Sequence, residues 1–135
     1  MANVTAIQTL VDGPSNVVIK LTGLLDTSDV SLATLIDPAL LSVMDDNTKV
    51  LSNKLRINKI THNIEDLLAV NLFWDADTDV SIGNFVGVNE MDYCRFGGLI
   101  DNSTTGRTGK ILYSTTGWSG SLSFVVILEC TKQRV

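Results

Sequence analysis

Val17-Val18-Ile19-Lys20-Leu21-Thr22 is the stretch whose alternation decides the fold. Its first, third and fifth residues are apolar, while Lys20 and Thr22 take alternate positions. Because successive side chains of a strand point to opposite faces of a sheet, this period of two predicts a half-buried β-strand. Residues 7–11 also read as a strand, and residues 12–16 between the two are rich in turn-forming residues. The two strands are therefore predicted to form a hairpin.

Strand-like segments continue along the chain, separated by turn signals about every ten positions. They are residues 31–36, 55–64, 70–74, 80–82, 111–115 and 121–131. In residues 55–64 the alternation shifts by one position, and a β-bulge near Asn58 and Lys59 would restore its phase. Residues 38–42, which begin with proline, are predicted to form one short helical turn. With about eight strands and no long amphipathic helix, the chain is predicted to be all-β, folded as an antiparallel β-sandwich or jelly roll.

Length and composition indicate one globular domain. The chain has 135 residues, of which 44% are hydrophobic and 19% charged, and this balance is too apolar for an intrinsically disordered segment. A chain of this size builds a single core. We therefore expect residues 1–135 to form one β-sandwich domain, with residues 1–6 as a candidate extended arm toward an adjacent subunit.

Charge and hydropathy exclude several classes of partner. The formal net charge of −5 disfavours binding to a phosphate backbone, which needs clustered Lys and Arg. The closest basic grouping, Lys54, Arg56 and Lys59, alternates as on the solvent face of a strand. No apolar run approaches the roughly 18 residues that span a bilayer, and residues 1–5 lack the features of a secretory signal. The sequence therefore predicts an intracellular product that contacts neither nucleic acid nor membrane.

The two cysteines, Cys94 and Cys130, lack the close paired spacing of a zinc site or a redox motif. Reduced thiols are the expectation. Cys130 keeps the register of the apolar positions in residues 122–128, which predicts a small buried side chain. A bridge between the two cysteines is the alternative if the protein leaves a reducing compartment.

Asp75, Asp77 and Asp79 alternate like the first half of a calcium-binding loop. The rest of that motif is missing, because Val80 stands where the loop needs glycine and Val86 where it needs the bidentate glutamate. A solvated hairpin turn is therefore favoured over a metal site, and no cofactor is predicted.

Catalytic motifs do not emerge from the sequence. His62 is the single histidine, and it keeps the strand register of Ile60 and Ile64, which indicates a structural role. The sequence contains no nucleophile elbow, no phosphate-binding loop and no zinc-protease motif. We therefore expect a protein that is not an enzyme; a small enzyme built around His62 is the less favoured reading.

Candidate interface residues come from the aromatic and polar turns. Trp74 lies within a strand and is expected in the core, whereas Trp118 lies in a glycine-flanked turn where it could contact a neighbouring subunit. The polar residues 101–109 show no apolar periodicity and are predicted to form an exposed loop, in which Asn102 and Arg107 are further interface candidates.

Several segments together resemble a family of small virion structural proteins of tailed bacteriophages, over most of the chain. The resemblance lies in residues 12–20, 71–76, 96–99 and 106–109 and in the β-rich carboxyl end. It implies a β-sandwich that decorates the capsid or builds the neck and tail, and it supplies no catalytic residues. It also implies a virion location, with assembly in the host cytoplasm.

The function expected from this resemblance is that of a capsid decoration or cement protein, which binds the outside of the head and stabilises it. The expected partners are the major capsid protein or neck and tail proteins, and edge strands with the 101–109 loop would join copies into a homo-oligomer such as a trimer. A neck or tail component is one alternative. A host-attachment module that binds glycans through exposed aromatics such as Trp118 is another.

Overall fold

The computed structural model describes residues 3–13, 15–41, 54–101 and 105–133. Within these ranges the chain forms nine β-strands and two 3₁₀ helices, which cover Pro38–Leu40 and Cys94–Phe96. The strands are β1 (Val4–Asp12), β2 (Asn16–Leu25), β3 (Ala33–Ile36), β4 (Lys54–Ile64), β5 (Ala69–Trp74), β6 (Val80–Phe85), β7 (Val88–Asp92), β8 (Ile111–Thr116) and β9 (Leu122–Gln133).

The strands form two antiparallel sheets. One has the order β1-β2-β9-β4-β7 and the other the order β3-β8-β5-β6. From β2 onward, the first strand pairs with the last, the second with the second-last, and so on inward. The pairs are β2 with β9, β3 with β8, β4 with β7 and β5 with β6. This nested pairing is that of a long antiparallel ribbon rolled into two layers, which is a jelly roll. The predicted all-β sandwich is confirmed, and β1 adds one strand to the edge of the five-stranded sheet.

The central strands β2 and β9 bury one face each, as their period of two predicts. Gly23 of β2 lies opposite Phe124 of β9, and a Cβ at Gly23 would lie 2.4 Å from Cε1 of the Phe124 ring. The aromatic ring therefore fills the space that glycine leaves. The other buried apolar residues of this face are Val17, Ile19, Leu21, Leu25, Val126, Leu128 and Cys130.

A β-bulge interrupts β4 where the sequence predicts one. The ladder with β9 shifts register between Ile57 and Lys59, so Asn58 is the extra residue. Its side-chain amide donates a hydrogen bond to Thr131 Oγ1 at 2.6 Å. The bulge restores the alternation of apolar and polar side chains, so residues before and after it face the core. These residues are Leu55, Ile57, Ile60 and Ile64. Those of Lys54, Arg56 and Lys59 are half-buried on the opposite, outer face.

The four-stranded sheet supplies the second layer of the core. Trp74 is 3% exposed, which confirms its predicted place in the core. Its buried companions on β5 and β8 are Val70, Leu72, Ile111 and Tyr113. The predicted helical turn after β3 is present as the 3₁₀ helix Pro38–Leu40; Ser42, at the end of that prediction, lies outside the described residues.

Neither 3₁₀ helix exceeds three residues, so within the described ranges the chain has no helix that could cross a membrane.

Candidate protein-binding surfaces

The strand β1 is exposed on both faces. Ile7 lies opposite Leu21, which is fully buried, yet Ile7 is 46% exposed because the second sheet does not extend over β1. The other exposed apolar side chains of the strand are Val4, Leu10 and Val11. Among the described residues β1 has one strand neighbour, β2, so its outer side is a free sheet edge. We call this strand, with its uncovered faces and free side, the β1 edge.

Both ends of the β1 edge are fixed to the rest of the domain. At the start, the Asn3 carboxamide oxygen accepts hydrogen bonds from the backbone N–H groups of Asp26 at 2.8 Å and Thr27 at 3.0 Å. At the other end, the Asp12 carboxylate pairs with the Lys132 ammonium. Residues 4–6, the end of the candidate arm, therefore belong to a paired strand that is held in place; Met1 and Ala2 lie outside the described residues.

A second exposed surface covers the opposite edge of the same sheet. It consists of the end of β7 and the 3₁₀ helix that follows, and we call it the aromatic surface. The Tyr93 and Phe96 rings meet edge to face with centroids 6.0 Å apart, and the Tyr93 hydroxyl lies 3.5 Å from the Met91 sulfur. Phe96 is 66% and Met91 40% exposed. These groups line a shallow depression of about 560 Å³ together with Glu90, Asp92 and Arg95.

The aromatic surface is tied to β4 by backbone hydrogen bonds. Ile57 and Leu99 exchange two of them, at 2.9 and 2.8 Å, and the Tyr93 N–H donates to the Asn58 carbonyl at 2.8 Å. Gly98 has a positive φ of 91°, and a Cβ there would lie 2.9 Å from the Ile57 carbonyl oxygen. Glycine is therefore required where the loop approaches β4, and the half-buried Tyr93 and exposed Phe96 rings lie on a segment that is fixed to β4.

Charges border the aromatic surface without covering its rings. Lys59 and Glu90 form a salt bridge of 3.1 Å, and Glu90 raises the pKa of Lys59. The backbone N–H of Cys94 donates to Asp92 at 2.8 Å and lowers the pKa of that carboxyl. In turn, the hydrogen bond between the Cys94 side chain and Asp92 raises the pKa of the thiol. The surface therefore has an apolar centre and an ionised rim, the arrangement typical of protein–protein interfaces.

A shallow, mainly apolar groove of about 480 Å³ adjoins the aromatic surface at Glu90. It lies over β4, β7 and β9 and is lined by Thr61, His62, Asn63, Val88, Asn89, Glu90, Val125 and Ile127. Val88 is 77% exposed. The apolar exposure at this edge therefore extends along β7 as well as across the 3₁₀ helix.

The three aspartates of the candidate metal loop form hydrogen bonds within the protein: Asp75 and Asp77 join their loop to residues 105–108, and Asp79 closes a turn of its own loop. The Asp75 carboxylate accepts a hydrogen bond from Thr108 Oγ1 at 2.7 Å, and Asp79 accepts one from the Ala76 N–H at 3.1 Å. The backbone N–H of Asp77 donates to the Thr105 carbonyl. Within the described residues no group of three or more His, Cys, Asp or Glu side chains is placed to hold a metal ion.

Trp118, the leading interface candidate, packs against its own domain. Its side chain is half-buried against the core, and its indole N–H donates to the Leu25 carbonyl at 3.3 Å. Arg107 is exposed and donates to the Asp101 carbonyl at 3.2 Å, within the same loop. Asn102 lies outside the described residues. Arg107 precedes β8 and Trp118 follows it, so the structure places these two candidates at opposite ends of that strand.

His62 is buried in the interior, at 4% exposure. Its ring lies against Phe85 with centroids 5.4 Å apart, and Nδ1 lies 2.9 Å from the Gly87 carbonyl oxygen. The side chain thus links β4 to the connection between β6 and β7, which agrees with the structural role expected of it.

The two cysteines are free and lie in different surroundings. Cys94 is exposed on the aromatic surface, while Cys130 is buried. Burial raises the pKa of the Cys130 thiol to about 12. The predicted burial of Cys130 is confirmed.

As candidate contact residues, the sequence analysis selected none of the aromatic surface and, of the β1 edge, only residues 4–6 within the candidate arm. Residues 93–99 have no periodicity, so their exposure could not be inferred from a pattern. The available signal was composition, since Met, Tyr, Arg and Phe occur within residues 91–96 and are the types enriched at protein interfaces.

The fold and its surfaces define a jelly-roll domain whose five-stranded sheet exposes apolar side chains at both of its edge strands, β1 and β7. No protein-family model, curated protein or solved structure is significantly similar to this chain.

Proposed function

We propose that this chain is a non-enzymatic structural protein of a tailed-phage particle, which binds the outside of the head and stabilises it. The resemblance of its sequence to small phage virion proteins supports this assignment. The jelly roll supports it by analogy, since viral capsid proteins use this architecture, although lectins and cupins use it as well.

The observation that carries the proposal is the exposed aromatic surface. Phe and Met side chains that remain in water, on a fixed base and next to a half-buried Tyr, are typical of a surface that another protein covers. Phe96, Tyr93 and Met91 provide the apolar centre, and Arg95 a cation that can pair with carboxylates of a partner. In this proposal the partner is the major capsid protein.

The net charge supports the outer side of the head. A chain with a net charge of −5 is repelled by packaged DNA, because the phosphate backbone is itself a dense line of negative charge. On the outer surface of the shell the chain would not face the packaged DNA. The chain would stabilise the head by contacting more than one capsid subunit.

The test uses particles of the virus that encodes the chain, produced with and without its gene. Immunogold labelling of complete particles should mark the whole head, and particles that lack the protein should release their DNA at a lower temperature. Purified protein added back should bind and restore the thermal stability. The Phe96→Asp variant should fail to bind, because it places a charge at the centre of the apolar contact.

Leu40→Asp is the matched control, since Leu40 is 83% exposed and lies on neither surface. It should bind and protect like the unaltered protein. Equal binding by Phe96→Asp would remove the aromatic surface from the proposal. Label confined to one vertex or to the tail would replace the head by the neck or tail, and particles without label, beside a working capsid antibody, would exclude a virion role.

A further inference from the structure

We propose that the β1 edge pairs with the β1 edge of a second copy of this chain, antiparallel and across a two-fold axis. The two five-stranded sheets would then form one continuous sheet of ten strands. This inference uses the opposite edge of the sheet from the aromatic surface and does not depend on the proposed function.

The backbone of β1 gives the first argument. In an antiparallel sheet every strand has hydrogen-bonding groups on both sides, and those of β1 that point away from β2 have no strand neighbour among the described residues. Natural proteins protect such edges with charged side chains, proline or a bulge that twists the strand. The single irregularity of β1 lies between Thr9 and Val11, so residues 4–9 remain regular and available for pairing.

The charge distribution indicates that the occupant is a second copy. Residues 4–11 contain no charged side chain, although the chain as a whole carries a net charge of −5. Two acidic copies repel each other over most of their surfaces, and an uncharged strip is where this repulsion is weakest. A partner selected by opposite charge would instead need a charged strip, which β1 does not offer.

The side chains give the third argument, because the strand is complementary to itself. In a two-fold antiparallel pair each residue lies opposite one residue of the copy, and the axis can pass midway between a residue and its own equivalent. With the axis at Ile7, Ile7 lies opposite Ile7 of the second copy, and Thr5 opposite Thr9. Apolar pairs and Thr–Thr pairs are favourable neighbours across antiparallel strands.

The pairing would also bury part of the apolar side chains on one face of β1. Ile7, Thr5 and Thr9 lie on the face that β2 turns toward the core, but the second sheet does not cover them. Two such faces side by side place both Ile7 side chains against each other. The contact thus removes apolar surface from water in addition to forming backbone hydrogen bonds.

The first test is the oligomeric state of the purified chain by analytical ultracentrifugation, from about 1 μM to about 1 mM, the range of weak to moderate association. We expect a dimer that Ile7→Lys converts to a monomer, because each copy then places an ammonium group at the axis. Leu40→Lys is the control and should remain a dimer. A monomer at every concentration, or a dimer or trimer that Ile7→Lys leaves intact, would overturn the proposal.

The second test fixes the register and remains informative if Ile7→Lys disturbs folding. Ile7→Cys is made together with Cys94→Ser, so that the buried Cys130 is the only other thiol. Opposite residues of an antiparallel pair lie about 4.5–5.5 Å apart at Cα, within the range that a disulfide spans. Mild oxidation should give a covalent dimer much faster than for Leu40→Cys in the same background. Equal rates for the two variants would refute the pairing at Ile7.

These outcomes are separable from those of the proposed function. A monomer that still binds phage heads would overturn the two-fold pairing alone. A dimer that binds no particle would overturn the virion role alone.

Discussion

The Lys132 ammonium and the Asp12 carboxylate form an ion pair in which the lysine side chain is fully buried and the aspartate side chain remains 23% exposed. Asp12 ends β1, and Lys132 lies near the end of β9, in the middle of the same sheet. The backbone N–H of Lys132 also donates to the Ser15 carbonyl, in the turn between β1 and β2, at 2.8 Å. These two contacts connect the β1–β2 hairpin to β9, the central strand of the sheet.

This asymmetric burial predicts unequal costs for removing the two partners. Asp12→Asn leaves the buried ammonium without this carboxylate and should lower the free energy of unfolding by about 3–5 kcal/mol. Lys132→Met should cost less, because the partly exposed Asp12 carboxylate can be hydrated. The double variant should be more stable than Asp12→Asn alone. Urea unfolding of the three variants measures this, and equal losses for the two single variants would contradict it.

A side chain at Gly23 should destabilise the domain while Phe124 is present. A Cβ at this position would lie 2.4 Å from the Phe124 ring, so Gly23→Ala should lower the free energy of unfolding by about 1–3 kcal/mol. In an open strand the same substitution would be favourable or neutral. Combining it with Phe124→Leu, which removes the ring, should reduce the added cost of the alanine. An unchanged cost in the Phe124→Leu background would show that the clash is not its cause.

The two thiols should react at very different rates. In the native protein a thiol reagent should modify Cys94 alone, and after unfolding it should modify both cysteines. Because Asp92 raises the pKa of Cys94, Asp92→Asn should speed modification of Cys94 at pH values below 9.0, the ordinary thiol pKa. Stopped-flow absorbance gives the rates, with Cys94→Ser as the control that should lack the fast phase. A slower reaction in Asp92→Asn would oppose this assignment.

Burial of Cys130 should make stability fall in alkaline solution. The unfolded thiol ionises near pH 9.0, but the folded one keeps its proton to about pH 12. Between these values the unfolded chain binds fewer protons than the folded one, so the free energy of unfolding decreases as the pH rises, by at most about 1.4 kcal/mol per pH unit. Below pH 9.0 this contribution is fully present.

The measurement compares unfolding of the unaltered protein and Cys130→Val on either side of pH 9.0. Valine has a similar volume and does not ionise, so the variant should lose less stability in the alkaline range. Parallel pH profiles for the two proteins would show that Cys130 does not contribute.

Strands with one buried face were predictable from the sequence. The apolar residues of β2 and β9 recur every second position because each strand faces the core on one side only. The bulge at Asn58 was predictable for the same reason, since the core requires Ile57 and Ile60 on one face although they are three residues apart. The order of the strands needed the structure, because periodicity identifies a face and not its neighbours.

The exposed edges were harder to predict. β7 has no buried residue in Val88–Asp92, so no alternation marks it, and the start of β1 at Val4 was missed for the same physical reason. Trp118 shows another limit, because its place in a glycine-flanked turn predicted an interface residue but not the hydrogen bond that its indole N–H donates to the Leu25 carbonyl. That contact joins positions 93 residues apart, and local sequence does not encode it.

The position of β9 has a consequence for synthesis on the ribosome. It lies between β2 and β4, although it follows every other strand in the chain. While β9 is still inside the exit tunnel, the apolar faces of its two neighbours have no strand to separate and align them, and the five-stranded sheet cannot close. A nascent chain therefore keeps these apolar faces uncovered until β9 has left the tunnel, and the five-stranded sheet can form only after that.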